Sequence, residues 1–145
     1  TDAGVPTGVL TAPLIPALND HELEHMLEAA AAHGAVNAGY VLLRLPHEVK
    51  ALFEEWLREH YPDRADHVLS LIRQMRGGAL YDSGYGSRQR GLGPFAAVLH
   101  ARFARARRAC GLNREFDLDT SRFRPPREPS PQLDLLAPEP FQQSQ

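Results

Sequence analysis

Gly8-Val-Leu-Thr-Ala-Pro-Leu-Ile-Pro16 and Gly39-Tyr-Val-Leu-Leu-Arg-Leu-Pro46 decide the fold. Each is a short apolar run that begins after turn-forming residues and stops at a proline. That length and those flanks favour a strand over a helix. Pro13 has no N–H to give, so it marks a bulge or a strand end inside the first run. The second run is continuous rather than alternating, the pattern of a parallel strand covered on both faces. Between the two stands Asn19-Asp20-His21-Glu22. Asn19 is placed to cap a helix and Glu22 follows three residues later, as in a capping box. Leu23, Met26, Leu27 and Ala30 continue at helical spacing, and Gly34 stops the helix. Strand, helix and strand read as one βαβ unit, whose crossover is expected to be right-handed.

Three helices follow. Val49, Leu52, Phe53, Trp56 and Leu57 predict one ending near His60. Asp63 is placed to cap the next, with Val68, Leu69, Ile72 and Met75 on its apolar face and Gly77-Gly78 at its end. Residues 77–93 hold 6 of the 11 glycines, so they read as a loop. Pro94 opens a last helix, with Phe95, Val98, Leu99, Phe103, Ala106 and Cys110 as its buried face and Gly111 as its stop. Residues 125–145 contain six prolines and little hydrophobic pattern, so they read as a disordered tail. The organisation expected is therefore 1–76 as β/α units, 77–124 as a Gly/Arg-rich loop with a helical cap, and 125–145 as the tail.

The overall net charge of −2 hides an asymmetry. Residues 1–72 carry 4 basic and 11 acidic side chains, whereas residues 73–127 carry 12 basic and 4 acidic. All but one of the 16 basic residues are arginine, the exception being Lys50. Such a locally basic segment attracts polyanions even on a near-neutral chain. No apolar stretch approaches the roughly 18 residues of a membrane span. The single cysteine, Cys110, excludes an intrachain disulfide framework and any site that needs several thiolates from this chain. A reducing, cytoplasmic setting is the expectation.

Two parallel strands that are apolar on both faces do not make a stable sheet. They leave edges and apolar area open. The expectation is that the chain is the C-terminal portion of a larger α/β protein, which a first residue of Thr1 rather than Met also fits. Assembly with a second copy is the competing solution. A doubly wound nucleotide-binding domain is disfavoured, because Pro16-Ala-Leu-Asn19 stands where a Gly-x-Gly-x-x-Gly turn belongs.

The two apolar runs, with the helix between them, resemble the late strands of the radical S-adenosylmethionine (radical SAM) barrel. His60-Tyr-Pro-Asp-Arg64, Ile72-Arg-Gln-Met-Arg-Gly-Gly78, Tyr81-Asp-Ser83 and Arg90-Gly-Leu-Gly-Pro94 resemble its spore-photoproduct-lyase-like branch, often labelled DNA repair photolyase. The likeness spans about residues 1–126. It implies the C-terminal part of a partial (β/α)6 TIM-type barrel. It also implies an iron–sulfur enzyme that reductively cleaves S-adenosylmethionine at a [4Fe–4S] cluster to a 5′-deoxyadenosyl radical, which abstracts a substrate hydrogen. The family's cluster is held by a Cys-x3-Cys-x2-Cys loop after the first strand, and nothing here matches that loop. The cluster ligands would lie in a missing N-terminal barrel half, the implied partner, and this chain alone would be inactive.

Active sites of such barrels form at the C-terminal ends of the strands. The resemblance therefore places Ile15, Asn19, Leu43, Arg44 and Leu45 on the S-adenosylmethionine pocket. Core packing and an N-cap are the plain alternatives for the apolar residues and Asn19. Arg44, inside an apolar run, is costly to bury unpaired. Its fork suits the S-adenosylmethionine carboxylate, a substrate anion, or an internal salt bridge. His47 and Glu48 have the chemistry of an acid–base pair but also suit the first turn of a helix. His21 and His25 have the i, i+4 spacing of a zinc pair, but Glu22 and Glu24 do not place a third ligand, and with His33 they form no usable metal set. Tyr81, Arg88 and Arg90 lie in the best candidate for substrate or nucleic-acid contact, with aromatic rings to stack, arginines for phosphates and glycines for close approach. Arg102, Arg105, Arg107 and Arg108 extend that surface, unless they pair with the acidic N-terminal half. A non-catalytic nucleic-acid-binding module built on residues 73–127 is the alternative function. No membrane partner and no metal ligands in this chain are expected.

Overall fold

The computed structural model of the chain describes residues 3–81, 83–84, 87–116 and 119–124. β1 (Gly8–Leu14) and β2 (Asn37–Leu42) run parallel, joined through a 3-10 turn (Asp20–Glu22) and α1 (Leu23–Ala32). α2 (Val49–His60), α3 (Pro62–Gln74) and α4 (Gly93–Ala109) follow. The fold is thus mixed α/β, with two parallel strands and four helices among the described residues. Gly8 is opposite Asn37 and Thr11 opposite Tyr40; the register then shifts before Leu14 meets Leu42. The shift falls at Pro13, which follows a cis Ala12–Pro13 bond, so the expected irregularity is present. Thr11 Oγ1 donates to the Gly39 carbonyl at 2.9 Å and ties the strands just before it.

Successive strand side chains point to opposite faces. Val9, Thr11 and, past the shift, Leu14 lie with Ala38, Tyr40 and Leu42 on the face that α1 and α4 cover. Leu23 and Leu27 of α1 and Ala96, Leu99 and Phe103 of α4 meet them in one apolar cluster, joined by Met75 and Leu112. That cluster draws residues from both sides of the boundary expected at 76/77. The opposite face carries Gly8, Leu10, Gly39 and Val41, and Leu10 is 62% exposed. The second strand was expected to be covered on both faces; among the described residues only one face is. A second cluster lies past the strand ends, where Leu57 of α2 packs with Leu45, Ala65, Val68, Leu69, Ile72 and Leu80.

Several local expectations change. β2 stops at Leu42, so Leu43, Arg44 and Leu45 lie beyond the strand. Leu43 N–H still reaches Leu14 O at 3.0 Å, but the chain then leaves the sheet to bury Leu45 in the second cluster. Asn19 does not form a capping box. Its Oδ1 accepts from Ile15 N–H at 2.7 Å and its Nδ2 donates to Pro13 O at 3.1 Å. With its side chain drawn back to the end of β1, the chain enters α1 through the 3-10 turn. α3 begins at Pro62, whose fixed φ suits a first turn, so Asp63 sits inside that turn rather than capping it. Val98 faces solvent at 58% exposure instead of joining the buried face of α4. Val49, Leu52 and Trp56 of α2 are likewise exposed.

The chain divides into a compact unit through Glu115 and a second from Phe116 onward. The described part of the second holds a turn in which Phe123 N–H donates to Thr120 O at 3.0 Å. The tail expected over 125–145 lies outside the described residues. Among those described, no helix is long and apolar enough to cross a membrane.

Gly91 is where the loop meets the core. Its φ of +71° is in the left-handed region, and an added Cβ would stand 2.9 Å from Leu42 Cδ1 and 3.2 Å from Met75 Cβ. Gly111 has a similar φ of +69° but open space around it. Gly111→Ala should therefore pay the backbone cost alone, about 1 kcal/mol. Gly91→Ala should cost more, about 2–4 kcal/mol, because the core must also yield. Urea midpoints of the two variants measure the difference.

Candidate site at the strand ends and the β2 edge

The strand ends collect most of the pocket residues expected from the sequence. Ile15 and Leu43 are half-buried against the second apolar cluster, and Leu45 is fully inside it. Asn19 is half-buried, with its amide engaged as above. Ala17 (φ 57°) and His47 (φ 46°) both turn through the left-handed region just past the two strands. Non-glycine residues seldom adopt it, and such outliers concentrate at functional turns. Arg44 lies between them in sequence, half-buried, and its Nε is buried without a hydrogen-bond partner among the described residues. A buried guanidinium N–H with no acceptor is costly, so this donor has capacity to spare. His47 and Glu48 are exposed, with Glu48 at the start of α2.

Arg76, which the sequence reading left without a role, organises the same region. It is only 5% exposed. Its Nη1 donates to Ser87 O at 2.9 Å and its Nη2 to Leu43 O at 3.0 Å. One buried cation thus pins the glycine loop to the backbone beside Arg44. The sequence clue was available: an arginine directly after the apolar positions of α3, followed by Gly77-Gly78.

The loop residues separate. Arg88 N–H closes a turn on Gly84 O at 3.0 Å and Gly91 N–H one on Ser87 O at 2.7 Å. Tyr81 and Arg88 are half-buried, whereas Arg90 is exposed. Arg90 lines a hollow of about 620 Å³ along the far edge of β2, shared with Tyr40, His100, Phe103, Arg107 and Arg108. Tyr81 and Arg88 are not on that lining. Tyr40 and Phe103 pack with ring centroids 4.7 Å apart, and Tyr40 Oη lies 3.3 Å from His100 Nδ1. Burial pushes the Tyr40 phenol up and the Arg90 cation pulls it partly back. At neutral pH the phenol is therefore protonated.

The remaining arginines are not equivalent. Arg102 straddles Glu24 with Nε–Oε1 at 2.9 Å and Nη2–Oε2 at 2.8 Å. Its Nη1 also reaches Asp20 Oδ2 at 3.1 Å and its Nη2 reaches Asp20 O at 2.9 Å. This ties α4 to the start of α1 and takes Arg102 out of the candidate nucleic-acid surface. The hydrogen bond from Arg102 holds the Glu24 carboxyl below its usual range, against a smaller opposing effect of burial. Among the described residues no cluster of three His, Cys, Asp or Glu side chains has the arrangement of a metal site. Comparison with protein-family models, curated proteins and solved structures finds no match for this chain.

The clamp makes two measurable claims. Arg102→Ala should lower stability by about 1–3 kcal/mol, chiefly by stranding the nearly buried Asp20 carboxylate, since the exposed Glu24 arm is screened. Arg102→Lys should recover only part of this, because an ammonium lacks the fork. The sign of the pH dependence follows from the lowered Glu24 pKa. Its contribution is present above the unfolded-state value and is lost as pH falls through the carboxylate range. Denaturant midpoints recorded from pH 7 to pH 3 should fall more steeply for the parent than for Glu24→Gln.

Proposed function

We propose that this chain supplies the last two β/α units of a partial (β/α)6 radical SAM barrel, resembling the spore-photoproduct-lyase-like branch, and a C-terminal helical cap. The observation that carries the reading is one-sided coverage. α1 and α4 shield one face of the β1–β2 pair, while on the other Leu10 stands exposed and Gly39 and Val41 are only half-buried among the described residues. A barrel puts its helices outside and turns such a face inward. The outer edge of β1, unpaired among the described residues, is where preceding strands of a barrel would join. The exposed Val49, Leu52 and Trp56 stripe on α2 is further apolar area that a larger protein would cover.

Within that reading Arg44 would hold the carboxylate of S-adenosylmethionine, because its buried Nε has an acceptor to gain. Ile15 and Leu43 would form the apolar wall that excludes water, while Leu45 and Asn19 act behind them by packing and by fixing the turn after β1. Arg76 would position this wall through Leu43 O. Bound S-adenosylmethionine would supply the 5′-deoxyadenosyl radical at a [4Fe–4S] cluster held by the N-terminal barrel half. This chain has one cysteine, Cys110 at the end of α4, and cannot furnish three thiolates. The nucleic-acid alternative draws less support, since Arg76 and Arg102 are engaged within the fold and Arg73 lies 3.8 Å from Glu54.

The test is anaerobic iron–sulfur reconstitution of the protein containing this chain, followed by chromatography for 5′-deoxyadenosine. The expected result is product together with a cluster absorbance. Arg44→Ala should weaken S-adenosylmethionine binding by about tenfold or more, the scale of a lost charged hydrogen bond. Absence of both product and iron signal would overturn the reading.

A further inference from the structure

We propose that the far edge of β2 is a strand-addition site for an extended, acidic segment of a partner protein. The inference does not rest on the barrel reading, although the hollow shares Leu10, Gly39 and Val41 with the face which that reading turns inward. At one end of the β2 edge, Ala38 N–H donates to Leu112 O at 3.1 Å and Arg114 N–H donates to Val36 O at 3.0 Å. At the other, Leu42 N–H donates to Gln89 O at 2.9 Å. The N–H and C=O of one strand residue point the same way, and the direction alternates along the chain. Ala38 and Leu42 both aim outward, so Tyr40 does too. Its N–H and C=O, and the Ala38 C=O, face the gap between the two anchors, and no described residue bonds to them.

That gap is the hollow described above, with Leu10, Val41 and Phe103 among its lining. Backbone groups beside apolar walls are poorly served by water, and an incoming strand satisfies them. Four residue steps from Ala38 to Leu42 span about 13 Å, room for three or four residues of peptide. Charge selects the occupant. Arg90, Arg107 and Arg108 line the hollow with no carboxylate among the described residues of its lining, and no described carboxylate pairs with any of the three. Arg107 spends Nε on Leu112 O at 2.9 Å, which sets its guanidinium beside the gap. Alternate Glu or Asp side chains on an extended peptide would meet these forks while its backbone continues the sheet. A nucleic acid brings phosphates but no ladder of amides, so a peptide uses both halves of the site.

Fluorescence anisotropy with the full chain and a labelled, end-capped tetrapeptide alternating valine and glutamate tests this. Saturable binding is expected, with hydrogen exchange at the Tyr40 amide slowed in the complex. Methylating alternate peptide amides should weaken binding by about tenfold or more. Arg90→Ala with Arg108→Ala, both exposed positions, should do the same while leaving the circular dichroism spectrum unchanged. The proposal is overturned if the peptide does not bind, or if the methylated or a valine–lysine peptide binds equally well. It is also overturned if a hexathymidylate binds as tightly as the peptide, or if the Tyr40 amide is unprotected in the complex.

Discussion

Apolar cover drawn from two helices, α1 and α4, determines whether this pair of strands can exist as a sheet. β1 and β2 share a single ladder, and parallel ladders of that size do not persist in water without apolar cover. α1 gives half of that cover through Leu23 and Leu27. The other half comes from far along the sequence, where Leu99 and Phe103 of α4 are buried with Leu42 and Leu14. Each such side chain contributes on the order of 1.5–3 kcal/mol by leaving water. The Arg102 fork then fixes where α4 lies, because its planar geometry is satisfied only when the start of α1 stands opposite. Burial supplies the energy and the guanidinium supplies the register.

The same arrangement explains part of the charge split along the chain. An acidic first half and an arginine-rich second half are what two segments that pack together would carry. Arg102 with Asp20 and Glu24 is that pairing. It does not consume the surplus. Arg107 and Arg108, on the opposite flank of α4, gather with Arg90 of the preceding loop beside β2, where no described acidic residue pairs with them. Charge that is neither paired nor scattered is the part that bears on partners.

The strands, their parallel sense and the helix lengths were legible because proline, glycine and apolar spacing each act locally. Pro13 announced the register shift, and Gly34 and Gly111 the helix stops. Three other features depended on long-range geometry. Asn19 has an ideal capping residue's chemistry, yet its amide turned back to Ile15 and Pro13, and only the path of β1 decides between the two. Arg44 looked like a strand residue because Leu43 and Leu45 continue the apolar run. The chain instead leaves the sheet to bury Leu45 against α3, so apolar character there reports a second core rather than a longer strand. Arg76 gave a weak signal, since nothing in its neighbours states that two carbonyls, of Leu43 and Ser87, converge on it.

The two edges of the sheet differ in kind, and that difference orders the possible partners. Along β1 the edge adjoins the face on which Leu10 stands open, and the strand itself, Gly8–Leu14, has no charged side chain. On the barrel reading such a surface would be completed by more sheet of similar character, which shields area without selecting sequence. Along β2 the edge is closed at both ends by Leu112 and Gln89, so only a short segment fits, and the arginines around it favour one sign of charge. Extension of the sheet past β2 by a long strand is blocked by the same two anchors that leave Tyr40 unserved. On the two proposals above, growth of the fold would proceed from β1 and recognition of a short ligand from β2.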